Sequence, residues 1–89
     1  MAMRDIITNK LTRAFAPQSL AVADESDRHA GHAGAREGGE THFRITIVAE
    51  SFRGRNRVER HRMINAALSS ELAERIHALA IHASAPGET

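Results

Sequence analysis

Histidine is the residue of this chain best suited to metal chemistry: there are six histidines and no cysteine. His29 and His32 stand three apart in DESDRHAGHAGAREGGETHF, the stretch from Asp24 to Phe43. Gly31, Gly34, Gly38 and Gly39 share that stretch. Glycine lets a backbone fold around a metal or approach a partner closely. Two imidazoles do not complete a site, since a closed structural zinc centre takes four ligands. A zinc site within the chain would have to add His77 and a carboxylate such as Asp24 or Glu25. A site finished by a second molecule fits the ligand count better. The plainer readings stand beside these. His77 serves equally well as a half-buried histidine bonded to backbone, and His29 and His32 as solvated loop residues. His42 opens the polar side of an alternating segment, and His61 lies at helical spacing between Val58 and Ile64. Neither is given a ligand role.

Arginine supplies the second cluster. Arg53, Arg55, Arg57, Arg60 and Arg62 follow closely, with only Glu59 among them as a counter-charge. Guanidinium forks suit phosphate oxygens, so Arg55, Arg57, Arg60 and Arg62 are candidate nucleic-acid contacts. They would serve equally as a solvated helix face or as a dock for an acidic surface. VERHRMINAALSSELAERI has the outline of a helix-turn-helix, yet its joint ALSSEL has no glycine. GRNR lacks the second glycine of a GxxG backbone clamp. The chain has no tryptophan or tyrosine and three phenylalanines, so stacking platforms are scarce. A net charge of +1 argues against an electrostatic grip spread over the whole surface. No spacing pairs a nucleophile with a base, so a binding module is expected rather than an enzyme.

The elements that must position these residues can be read from periodicity. Met3, Ile6, Ile7, Leu11, Ala14 and Phe15 recur at helical spacing, and Pro17 ends the helix. Leu20 and Val22 alternate in a short strand that stops at the His/Gly stretch. Phe43, Ile45 and Ile47 alternate with His42, Arg44 and Thr46, the clearest strand pattern in the chain. The intervening loop is far longer than a hairpin turn and joins two expected antiparallel neighbours. Gly54 turns the chain. Val58, His61, Ile64, Asn65 and Leu68 trace a helix face, and Ser69 or Ser70 is expected to cap a second short helix. IHALAIHAS is expected as a third strand, with His77, Leu79 and Ile81 on one face. The order is helix-strand-strand-helix-helix-strand, an α+β two-layer sandwich with helices on one face of a three-stranded sheet.

With 89 residues there is room for one small domain, expected over residues 1–85, with a frayed tail at 86–89. No apolar run reaches membrane-spanning length. No secretory signal is seen at the N-terminus, so a cytoplasmic, monomeric chain is expected.

DES before the His/Gly loop, then ETHFRITIVAESFRG, VERHRMINAALSSEL and IHALAI, together resemble the BolA protein family. The resemblance runs from the first helix to the last strand. It implies a class II KH-like fold, in agreement with the order read from periodicity. It also implies pairing with a monothiol glutaredoxin and a shared [2Fe-2S] cluster, with glutathione as a further ligand. In such a pair the BolA-like chain supplies the histidine of IHAL, here His77. A loop residue is often a second ligand, here His29 with His32 as the alternative, since the chain has no cysteine. Histidine in place of thiolate on one iron raises the reduction potential, and protonation of imidazole would weaken binding in acid. The resemblance implies a second role as well, that of a transcriptional regulator affecting cell shape and stress responses.

Overall fold

The computed structural model describes residues 2–25, 42–76 and 78–88. Its elements are α1 (Met3–Phe15), β1 (Ser19–Asp24), β2 (His42–Val48), α2 (Arg57–Ala67), α3 (Ser69–Glu74) and β3 (Ala78–Ser84), with a 3-10 turn at Glu50–Phe52. The element order is the expected one. His29 and His32, and His77 before the third strand, lie outside the described residues.

The sheet is ordered β1-β2-β3. β1 runs antiparallel to β2, and β3 runs parallel to it. Register explains which side is buried. Leu20 pairs with Ile47 and Val22 with Ile45 on one side; Phe43, Ile45 and Ile47 pair with Leu79, Ile81 and Ala83 on the other. All of these side chains share one face, because alternate strand residues point the same way. Phe43, Ile45 and Ile47 on the central strand are almost fully buried. The opposite face carries Ala21, Ala23, Arg44, Thr46, Ala80 and His82, and all are exposed.

The helices cover the apolar face. Met3, Ile7 and Leu11 of α1 join Ile64 of α2, Leu68 just after it and Phe52 of the 3-10 turn in a single core. Phe15 packs its ring on Phe52 at 5.0 Å between centroids, within the range of favourable aromatic pairs. Pro17 does end α1: Ala16 turns into the left-handed region at φ 46°, and its N–H bonds to the Thr12 carbonyl. Lys10 of α1 meets Glu71 of α3 at 2.8 Å.

Three expectations change. Ser69 and Ser70 do not cap α3. Leu68 is at once the last cap of α2 and the first of α3, and it offers no capping side chain. Its N–H bonds back to Ile64 and its side chain is buried, so both serines are drawn into the helix. The cap that does exist was missed: Asn56 and Glu59 form a reciprocal capping box at the start of α2, with bonds of 2.8 and 2.9 Å. NRVE matches the short sequence signature of such a box in outline. Val58 and Asn65 are exposed rather than buried. At 100° per residue they fall roughly a quarter turn away from the Ile64–Leu68 stripe.

The tail is the third. Residues 85–88 close a turn, with Gly87 at φ 89° and the Glu88 N–H bonded to the Ala85 carbonyl. Arg53 donates to the Pro86 carbonyl at 3.0 Å, so the segment up to Glu88 is tied down rather than frayed.

Candidate functional site

Two regions bear on function. The first is the end of the sheet where β1 stops and β2 and β3 start. Asp24 lies opposite Phe43, and His42 lies opposite Ala78. The Glu25 N–H bonds to the His42 carbonyl at 2.8 Å, and Arg44 pairs with the Glu25 carboxylate at 3.0 Å. Parallel pairing of β3 with β2 produces this arrangement, because it sets their starting ends side by side. Glu25 and His42 are the described residues nearest the two ends of segment 26–41, which carries His29 and His32 in sequence. Ala78 is the residue after His77. These three described residues meet at one end of the sheet. Among the described residues there is no group of three or more His, Cys, Asp or Glu side chains able to hold a metal.

The second region is a groove of about 480 Å³ between α2 and β3. Arg55, Arg57, Arg60 and His61 line its helical side; Ile81, His82 and Ala83 line its strand side. The structure thus brings together three of the four candidate arginines and leaves Arg62 off the lining. Their states differ. Arg60 is folded inward, with only 13% of its side chain exposed. It grips Glu88 through two bonds of 2.7 and 2.9 Å and donates to the Ala83 carbonyl at 3.1 Å. Its Nε is buried and has no acceptor among the described residues. Arg55 has a loose contact with Glu59 at 3.8 Å. Arg57 and Arg62 are exposed and make no hydrogen bond or ion pair with any described residue. Arg53 pairs with Glu50 three residues before it.

The arginines therefore stand in different states here, and only geometry separates them. Arg60 is mainly a structural clamp that fastens the turn at residues 85–88 to α2. Its guanidinium holds the Glu88 carboxyl down at about 2, helped by the Ala85 N–H. Because that carboxyl is depressed in the folded state, its contribution is present above the ordinary carboxylate range. It is lost as pH falls through the folded value. The expected result is an NMR titration of Glu88 with its midpoint near 2. In Arg60→Ala the midpoint should return toward the usual carboxylate range.

His82 and Glu88 were not singled out as site residues. His82 occupies an outward position in an alternating strand, and periodicity assigns no task to such a position. Glu88 sits after Pro86 and Gly87, where local pattern gives no sign of a long-range partner.

The comparisons agree with this architecture. A family model described as BolA-like protein matches residues 11–88. The chain belongs to the BolA-like family. It is 46% identical over 80 residues to a protein of Vibrio cholerae named DNA-binding transcriptional regulator BolA, covering 90% of this chain and 72% of that one. BolA1 from Arabidopsis thaliana superposes with a TM-score of 0.89 at 38% identity, covering 100% of this chain and 97% of that one. The BolA domain of SufE1 from the same plant gives a TM-score of 0.88 at 40% identity, with 100% and 98% covered. The chain spans only 23% of the full plant SufE-like protein 1. Relatives of this family are named as regulators or as BolA-like proteins, and no enzyme family is indicated.

Proposed function

We propose that this chain is a cytoplasmic adaptor that pairs with a monothiol glutaredoxin to hold or pass on a [2Fe-2S] cluster. The observation that carries this reading is the meeting of three described residues, Glu25, His42 and Ala78, at one end of the sheet. They flank the sequence positions of His29, His32 and His77. The donor set suits a shared cargo. With no cysteine in the chain, imidazole is its best iron ligand. One or two histidines leave the remaining positions to the glutaredoxin thiolate and glutathione. A cluster held this way is exchangeable, because no single chain encloses it. The test is to combine the chain with a monothiol glutaredoxin, glutathione, ferrous iron and sulfide under anaerobic conditions. A heterodimer is expected whose visible absorption and circular dichroism differ from those of the glutaredoxin alone. An unchanged spectrum, or no heterodimer, would count against the reading.

A second reading, a DNA-binding transcriptional regulator, is favoured by a different observation: Arg57 and Arg62 are exposed without described partners, and Arg55 is loosely held. The Vibrio cholerae relative bears such a name. Arg60 would add little, since Glu88 already occupies it. Roughly three phosphate contacts give an expected slope of about −3 for log affinity against log salt. Fluorescence anisotropy with a labelled duplex measures it. Replacing Arg55, Arg57 and Arg62 together with alanine should flatten the slope toward zero. A slope near zero for the unaltered chain would remove this reading.

A further inference from the structure

β3 is an edge strand, and the groove runs along its free side. The Ser84 carbonyl turns inward and accepts from the Ala49 N–H at 3.0 Å. The Ala83 carbonyl turns outward and accepts from Arg60. Backbone direction alternates along a strand, so Leu79 and Ile81 turn their N–H and C=O groups outward together with Ala83. Arg60 covers the Ala83 end. Among the described residues nothing pairs with the outward backbone groups of Leu79 and Ile81; Ile81 lines the groove, with Arg57 and Arg55 also on its lining.

An exposed edge is a template for another strand. The groove already shows which charge it accepts. The Glu88 carboxylate, carried on a backbone turn, seats on Arg60 at one end. From this edge and this carboxylate we infer that the groove between α2 and β3 takes an extended acidic peptide segment of a partner protein. The segment would lie as a fourth strand on Leu79–Ile81, with a carboxylate on Arg57.

The same features disfavour nucleic acid in the groove. A phosphate track needs a row of free cations, whereas Arg60 is already occupied by Glu88 and Arg62 lies off the groove lining. The Glu88 carboxylate repels a continuous polyanion but leaves Arg57 open to a single acid. An edge strand also offers alternating donors and acceptors, which a peptide backbone matches on both counts. Phosphate oxygens can only accept.

This inference is independent of the cluster reading and is tested on the chain alone, without iron. The probe is a capped heptapeptide alternating valine and threonine with a single central glutamate, added to the 15N-labelled chain. Amide exchange at Leu79 and Ile81 is expected to slow at least severalfold at saturating peptide, as new strand pairing shields both N–H groups. Arg57→Glu should weaken peptide binding by at least about fivefold, because it sets like charges together across the contact. Arg13→Glu makes the same charge change on α1 and should have little effect. Arg57 is exposed, so its replacement should fold; far-UV circular dichroism confirms that. Glu88→Ala, which frees Arg60, should tighten binding. The inference fails if saturating peptide leaves the Leu79 and Ile81 amides unprotected. It fails equally if Arg57→Glu and Arg13→Glu weaken binding alike. It also fails if a short DNA duplex protects those amides and the peptide does not.

Discussion

Replacing His77 with alanine should leave the chain folded and able to meet a glutaredoxin, while the mixed cluster is lost or exchanges much faster. Changes to the outer partners of metal ligands commonly cost about 10–100-fold in affinity. Deleting a ligand should therefore shorten the cluster's lifetime by at least about tenfold. The measurement is the decay of visible circular dichroism after adding a chelator, with the complex followed by size exclusion. His29→Ala and His32→Ala are the companions. If a loop histidine is a ligand, one of the two should reproduce part of the loss and the other should not. His77→Cys is the informative gain: a thiolate in place of imidazole should lower the reduction potential of the cluster. If His77→Ala leaves spectrum and lifetime unchanged, His77 is not a ligand.

The largest loss of stability is expected from Phe52→Ala. Phe52 is fully buried on the 3-10 turn between β2 and α2, and its ring lies against Phe15 at the end of α1. It joins helix, turn and sheet in one cluster. Truncating a buried phenylalanine costs about 3–5 kcal/mol through lost transfer energy and the cavity left behind. A domain of this size has a total stability of roughly 5–10 kcal/mol, and Phe52→Ala removes much of it. Urea denaturation followed by circular dichroism should show a midpoint lowered by roughly a third or more. Phe52→Leu, which keeps most of the volume, should cost far less. A midpoint unchanged by Phe52→Ala would mean that the core closes over the gap.

The outcome at the two ends of the arginine cluster shows why charge alone is a poor guide to function. Arg57 and Arg60 are three residues apart in sequence and chemically identical. One is exposed; the other is nearly buried against Glu88 and the Ala83 carbonyl. Arg60→Ala would therefore loosen the turn at residues 85–88 before it changed any ligand. A DNA assay on Arg60→Ala alone would confuse the two effects, and for that reason the salt series uses Arg55, Arg57 and Arg62.

Periodicity in the sequence was enough to determine the order of elements, the end of the first helix at Pro17 and the buried face of β2, because these depend on near neighbours. Phe43, Ile45 and Ile47 alternate with polar residues, and only a strand puts them on one side. Asn56 and Glu59 were legible in principle as a capping box, since both partners lie within four residues. The family resemblance also rested on sequence alone, carried by separated motifs in a fixed order.

Only the tertiary structure decided what depends on distant pairs. That β3 lies parallel to β2, setting Ala78 beside His42, follows from how the chain crosses behind the sheet through α2 and α3. No local pattern encodes that direction. The same crossing lays α2 along the outer edge of β3 and makes the groove. It draws Arg60 onto Glu88, 28 residues away, and turns an expected loose tail into a clasp. Local propensity acts over a few residues, whereas burial and ion pairing act over whatever the fold brings close. The histidines were therefore visible from the outset as chemistry. The shared end of three strands, which their sequence positions adjoin, became visible only in three dimensions.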